Sequence, residues 1–335
     1  MSKGKRVQKK KGGGFLGVLL MLLLVGGGLY ASWRILVPEP ATATSAMSAS
    51  TDEPSKNAGE SDLAEQPPAE ADGYARKRHC WTFLLVGMDK VGSNTDSLIL
   101  VRYDVGEQTV SLASIPRDTC VDVKRKLKKI NAAYANGGME QLETEVSRTF
   151  GIPIDFYVRV NVKGFVALVD ELGGVDFDVP CNMSYDDPAQ GLSIHFQKGM
   201  QHLSGQQALE VCRFRKNNDG SGYTDTGRME TQRKMLTVIA KKLLSWGNIT
   251  KLKSYISIAA EHVDTDLSLS DMAWFAEHAL GFDMEREGSL NTMMAPAAWR
   301  NPYMYLDPDA TLEMVNQYLN PYTKDLLPEH LDIIS

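Results

Sequence analysis

Between Val211 and Arg233 the chain runs VCRFRKNNDGSGYTDTGRMETQR, a stretch whose residue types could hold a multiply charged anion. Cys212 and Phe214 alternate with Arg213 and Arg215, which predicts a short strand with both guanidiniums on one face. Lys216 to Thr226 follows without an apolar aliphatic side chain and is rich in Gly, Asn and Asp, the composition of a mobile surface crossing. Helical spacing then takes over at Met229, Leu236, Ile239, Leu243 and Leu244, with Asp225 or Thr226 as N-cap. Arg228 and Gln232 stand four apart, one above the other on such a helix. Three arginines and a helix N-terminus with spare N–H groups suit a ligand with several charged oxygens, such as a diphosphate. The competing account is ordinary ion pairing, for which the chain has 42 acidic residues.

The elements that must position these groups come mostly earlier. Trp81 to Val86 (WTFLLV) is a continuous apolar run, hence a strand buried on both faces, and Asp89 follows it after Gly87. Ser97 to Tyr103 is a second such strand, introduced by Asn94-Thr95-Asp96, and Thr109 to Ile115 a third that runs into Pro116-Arg117-Asp118. Two carboxylates and an Arg–Asp pair therefore sit at strand ends, where loops converge on pockets. Helices are expected near Asn131–Asn136 and at Met139–Phe150, separated by Gly137-Gly138. A strand Ile154–Val160 and a helix Val162–Leu172 ending at Gly173-Gly174 follow, then Val175–Val179 with the strict alternation of a half-buried strand. Further helices are expected at Gly227–Leu244, Ser268–Leu280 and Asp307–Leu319. The interspersion predicts an α/β (α+β) three-layer sandwich, a central mixed β-sheet flanked by helices and preceded by one transmembrane helix.

That first helix rests on charge and length. Residues 1–14 hold six cations and no acid, and Phe15 to Trp33 carries no charge before Arg34. A run of that length approaches the ~20 residues that span a bilayer core, and it exceeds the core of a cleaved signal. The expected order is a basic cytoplasmic tail at 1–14, a transmembrane helix at 15–37 and a disordered extracytoplasmic linker at 38–78. A core domain at 79–250 and a C-terminal part or extension of it at 251–335 complete the chain. The whole chain has a formal charge of −6, so the part beyond the basic tail is at −12, which argues against nucleic acid as a partner.

Several chemistries lack their signatures. There is no P-loop, HExxH, GxSxG or GxGxxG, and Asn217-Asn218-Asp219-Gly220 fails as a calcium loop because Arg215 and Thr226 would occupy its first and last positions. The histidines are scattered, with His195 and His202 expected at the surface. Cys80, Cys120, Cys181 and Cys212 could pair as disulfides or serve as small buried hydrophobes, and their spacing leaves both open.

One resemblance gathers these pieces. The chain resembles the LytR–CpsA–Psr group of membrane-anchored glycopolymer ligases. It does so through Gly87-Met88-Asp89, Thr95-Asp96-Ser97, Ser114-Ile115-Pro116-Arg117-Asp118-Thr119 and Lys129-Ile130-Asn131-Ala132-Ala133-Tyr134, and through Leu168-Val169-Asp170-Glu171-Leu172-Gly173-Gly174. Arg213-Phe214-Arg215 and Asp225-Thr226-Gly227-Arg228 with Gln232 complete the series, in the family's order, over roughly Phe83 to Leu244. Asn94 and Thr231 depart from it, since the family usually has arginine at the first place and often at the second. The resemblance implies transfer of a phosphoglycan from a polyprenyl-diphosphate carrier to a peptidoglycan hydroxyl. A non-catalytic binding or regulatory module of the envelope and a polyprenyl-diphosphate hydrolase are the alternatives.

It also implies roles. Asp89 and Asp96 would hold Mg2+, with Mn2+ as the alternative ion, and Asp96, Arg117 and Arg228 would be catalytic. Arg117, Arg213, Arg215, Arg228 and Gln232 would bind the diphosphate, with Asp118 orienting Arg117. The implied place is the cell membrane of a Gram-positive-type envelope, with the N-terminus cytoplasmic and the folded part outside. The isoprenoid tail would need an apolar slot, most simply between the sheet and its helices.

Overall fold

The apolar run around Phe83 becomes the central strand of the molecule because both its faces are covered. In this computed structural model β1 (Cys80–Met88) lies between β2 (Thr95–Asp104), antiparallel to it, and β4 (Phe156–Val160), parallel to it. The structure describes residues 38–43, 73–88, 95–188, 191–223, 225–243, 252–279, 282–283 and 286–334. The expected basic tail and membrane helix, most of the expected linker, Asp89, Asn94 and Leu244 lie outside the described residues, as do the side chains of Asp96, Asp225 and Thr226. No helix among the described residues is long and apolar enough to cross a membrane.

With β3 (Thr109–Ile115), β9 (Val263–Thr265) and β10 (Leu290–Met294) the sheet has six strands in the order β10-β3-β2-β1-β4-β9. Both edge strands come from the last third of the chain, and β10 runs parallel to β3. Alternate side chains enter two different cores. Leu84, Val86, Leu98, Leu100 and Ile115 face one layer, built from α1 (Ala132–Phe150) and the chain after Asp307. Trp81, Phe83, Leu85, Ile99, Val101 and Leu112 face the other. That second layer holds α2 (Val162–Glu171), α3 (Gly205–Arg213), α4 (Asp225–Leu243), α5 (Leu252–His262) and α6 (Leu269–Ala279). The expected central mixed sheet flanked by helices is what the chain adopts.

Local chemistry sets the helix limits. Asn161 caps α2 by accepting the Gly164 N–H, and after Leu172 the chain turns through Gly173 and Gly174 at φ 73° and 80°. A Cβ on Gly174 would sit 2.7 Å from the Leu203 carbonyl oxygen, so glycine is required there for space as well as for its left-handed conformation. The expected break at Gly137-Gly138 appears as non-helical backbone that kinks α1. Asp307 accepts the Ala310 N–H and Pro308 opens α7 (Pro308–Met314), which continues as a π turn through Leu319. Phe275 of α6 centres an aromatic group, 5.2 Å from both Trp81 and Phe83 by ring centroids. Burying a side chain of that size is worth roughly 1.5–3 kcal/mol.

Between α2 and α3 the chain leaves the sheet as two small antiparallel pairs. These are β5 (Val175–Val179) with β8 (Gly199–Leu203), and β6 (Met183–Asp187) with β7 (Leu192–Phe196). In β5 the residues Val175, Phe177 and Val179 are buried and Asp176 and Asp178 exposed, as the alternation predicts. A last hairpin, β11 (Ala297–Arg300) with β12 (Tyr303–Leu306), follows β10.

Candidate active site

The segment carrying Arg213 and Arg215 is not a strand. A capping box between Ser204 and Gln207 starts α3, Ala208, Val211 and Cys212 bury one side of it, and the helix runs through Arg213. Phe214 is its extended C-cap and is fully buried, which leaves Arg215 beyond the helix and exposed. The two guanidiniums therefore do not share a strand face. The alternation Cys-Arg-Phe-Arg is four residues long, and the stronger helical spacing upstream overrode it. The following loop is tied down rather than mobile: Asn217 accepts the Ser184 N–H at 2.8 Å and Asn218 that of Asp186 at 2.9 Å, pinning it to β6.

Arg213 opens onto an apolar cavity of about 190 Å³ between the sheet and α2, α3 and α4. Leu85 and Ile99 form its floor, Val160 and Phe165 one wall, and Leu236 and Ile239 another. Its polar lining residues are Ser97, Asn161, Arg213 and Gln232. Gln232 knits three elements there, since it accepts the Ser97 hydroxyl at 3.2 Å and donates to the Cys212 carbonyl at 3.2 Å. Arg228, one turn earlier on α4, is 6% exposed. A cavity of roughly 150 Å³ already accepts benzene, so this one has room for a branched hydrocarbon segment, where the sequence expected a prenyl slot.

Beside this rim the sheet is irregular. Gly87 pairs with Ser97 but Met88 pairs with Thr95, which makes Asp96 the extra residue of a β-bulge. Bulges re-aim a strand and are common beside active sites. Asp89 and the side chain of Asp96, the expected metal-holding pair, lie outside the described residues. A pair of carboxylates is a donor set that suits a hard divalent cation. Among the described residues no cluster of three or more His, Cys, Asp or Glu could hold a metal.

On the far side of Thr95 lies a second cavity of opposite character. The Thr95 hydroxyl reaches the Asn131 carbonyl at 3.5 Å, and Asn131 lines a polar cavity of about 700 Å³ with Arg117, Asp118, Arg125, Lys126 and Lys129. Arg117 is thus in this cavity wall, whereas Arg213 and Gln232 are in the apolar one. Asp118 lies 3.9 Å from Arg117 Nε and 2.9 Å from Lys129 Nζ, so its hydrogen-bonding partner is the lysine and Arg117 receives only a longer-range attraction.

The sequence did not point to the cavity lining, nor to Ser97 as partner of Gln232. Five of the six residues from Lys124 to Lys129 are cations, a signal for this cavity that is visible in the sequence. Thr231, at the second departure from the family pattern, is buried and shares a 2.5 Å hydrogen bond with the Tyr223 hydroxyl. Arg233 is half-buried, and desolvation holds its guanidinium below the usual arginine range. All four cysteines are free; Cys80, Cys120 and Cys212 are buried, and burial pushes the Cys212 thiol up to about 12. His195 and His202 sit at the surface against Asp186 and Asp176.

The sequence signature of the LytR_cpsA_psr family matches residues 41–320. The polyisoprenyl-teichoic acid–peptidoglycan teichoic acid transferase TagV of Bacillus subtilis (strain 168) is 33% identical over 268 residues, 76% of this chain and 66% of TagV. The teichoic acid transferase TagU of Bacillus mycoides (strain KBAB4) is 34% identical over 210 residues, 61% of this chain and 63% of TagU. The chain thus spans slightly under two thirds of the length of these curated relatives. The crystal structure of B. subtilis TagV superposes with a TM-score of 0.59 at 29% identity, covering 77% of this chain and all of that one.

Proposed function

The chain belongs to the LytR–CpsA–Psr family, and from that premise we propose that it is a membrane-anchored phosphotransferase. It moves a phosphoglycan, either wall teichoic acid or a capsular or related polymer, from a polyprenyl-diphosphate carrier to a peptidoglycan hydroxyl. The observation that carries this is the placement of Thr95-Asp96-Ser97. Its first residue touches the wall of a cationic cavity and its last the rim of an apolar one. A prenyl diphosphate needs that sequence of environments, apolar for the tail and cationic for the phosphates.

In this reading the tail enters among Leu85, Phe165, Leu236 and Ile239, and the diphosphate rests at the rim. Arg213 and Gln232 hold its oxygens from α3 and α4, Arg228 adds charge from the same helix, and Arg117 approaches from the other cavity. Arg215, exposed beyond the helix, contributes from outside the rim. Planar guanidiniums suit this task because each offers two parallel N–H donors. Asp89 and Asp96 would hold Mg2+ or Mn2+, which neutralises part of the diphosphate charge.

The acceptor oxygen forms a bond to the phosphorus that bears the glycan, and the bond to the bridging oxygen breaks. Polyprenyl phosphate leaves with that oxygen, while the hydroxyl proton passes to a carboxylate or to solvent. Residues 15–37 would span the membrane, with the folded part outside the cell.

The test is turnover by the full-length chain with a polyprenyl-diphosphate oligosaccharide, a glycan-strand acceptor and magnesium, read by mass analysis. Transfer to the strand with release of polyprenyl phosphate is expected. Release without acceptor indicates a hydrolase, and no release with either indicates a binding module. Arg228→Ala should lower kcat/KM by about 10- to 150-fold, the roughly 1.5–3 kcal/mol of a charged hydrogen bond, with an unchanged circular dichroism spectrum.

A further inference from the structure

The short stretch that follows the expected membrane span is packed on the domain. Pro40 is buried, and its carbonyl oxygen accepts the indole N–H of Trp81 at 3.3 Å. A Glu39 carboxylate oxygen lies 3.0 Å from His79 Nδ1, and the Ala43 N–H donates to Asp155 Oδ1 at 2.8 Å. These partners stand at the amino ends of β1 and β4, which run parallel. Pro38 and Pro40 fix two backbone angles of the stretch, which lowers the entropy lost when it docks.

Asp155 also receives the chain where it returns. Its side chain is fully buried, and Oδ2 accepts Arg76 at 2.6 Å and the Thr82 N–H at 2.8 Å. Arg76 donates as well to the Cys80 carbonyl at 3.3 Å. A buried carboxylate is costly to part from such donors, so this junction is a firm one. The chain leaves the domain after Ala43 and is back at the same carboxylate by Arg76, so the length between them adds no distance between the domain and Pro38.

We infer that residues 38–43 are a docked strap that holds the amino ends of β1 and β4 against the lipid surface. The inference rests on the membrane span proposed above and assigns the face of the domain that the bilayer meets. Pro40 is three residues beyond the end of that span, roughly 10 Å of extended chain. A free coil over residues 38–78 would instead leave the domain roughly 35 Å away on average, in no fixed orientation. Leu85 on the cavity floor is four residues along β1 from Trp81, about 13 Å, so a prenyl tail has a short path from the bilayer.

The experiment reads the height of the domain by energy transfer, with the full-length chain in lipid vesicles and an acceptor dye on the headgroups. The donor dye sits at Glu107→Cys, exposed in the turn after β2 at the same end of the sheet as His79. Cys181→Ser removes the one native thiol that is not buried. A glycine-serine stretch of about 30 residues, itself about 30 Å in root-mean-square length, is inserted either between Val37 and Pro38 or after Gly59. The first insertion should lower energy transfer about twofold or more, and the second should leave it unchanged. Ala43→Pro with Trp81→Phe removes two N–H donors that hold the strap, and in that background the insertion after Gly59 should lower transfer as well. Equal losses from both insertions in the otherwise unmodified chain, or none from either, overturn the inference. A chain that does not sediment with the vesicles overturns the membrane span and the strap's role together. No outcome depends on turnover, so failure of the transfer function is read separately.

Discussion

Two cavities flank the same three residues, and they are stabilised in different ways. The apolar one is made of side chains that the fold would bury in any case, contributed by β1, β2, β4, α2, α3 and α4. Its lining continues the core of Phe83, Val101 and Phe275. The cationic one is made of a loop and a helix start whose side chains prefer water, and it depends on the contact between Arg125 and Glu145. One region is supported by many weak contacts and the other by few strong ones. The difference teaches where each is vulnerable: the first to volume, the second to charge.

The largest expected effect follows from the charged side. Arg125→Ala leaves Glu145 buried without its cation, and removal of one partner of a buried pair costs roughly 3–5 kcal/mol. Thermal unfolding should show a fall in Tm that Glu145→Gln in the same chain partly recovers. Were the single and double variants equally unstable, the contact would carry none of the loop's order. Next comes volume. Leu236→Trp fills the apolar cavity and should raise KM for a long-chain prenyl donor about tenfold, within the roughly 1–3 kcal/mol of overpacking, while a short-chain donor is spared. Equal losses for both chain lengths would place the tail elsewhere.

The smallest effect contrasts two carboxylates of α1. Glu145 faces Arg125, but Glu143 is partly buried beside Asp266 and Glu140, and burial first, then those charges, raise its carboxyl from 4.5 to about 8. Asp266 is raised likewise from 3.8 to about 6. A carboxyl that holds its proton more tightly when folded contributes stability present below pH 4.5 and lost as pH rises through about 8. Tm should therefore decline over that window, and Glu143→Gln should flatten the decline. Solvent screening makes this the mildest change. An unchanged slope in the variant would mean that Glu143 titrates as an ordinary exposed acid.

Much of the frame was legible in the sequence because it depends on local preference and on period. The run WTFLLV had to be buried on both faces, and it is, with Phe83 in one core and Leu84 in the other. Glycine pairs mark a kink and a helix end because Gly138, Gly173 and Gly174 hold a positive φ that few other residues adopt. The ordered series of motifs from Gly87 to Gln232 pointed to the family that the comparisons show.

Other features depend on partners remote in the chain, which no local pattern contains. Helix α3 claimed Cys212 and Arg213 because the Ser204 cap and the buried face of Ala208 and Val211 outweighed a four-residue alternation. The bulge at Asp96 is a matter of register between β1 and β2, so it exists only once the two strands pair. Leu236 and Ile239 read as core in composition, and they line a cavity between the sheet and α2, α3 and α4. The side chains themselves were fixed by the sequence. Whether a leucine fills space or borders it was settled by how the layers packed, since hydropathy is a property of the residue and a void is a property of the assembly.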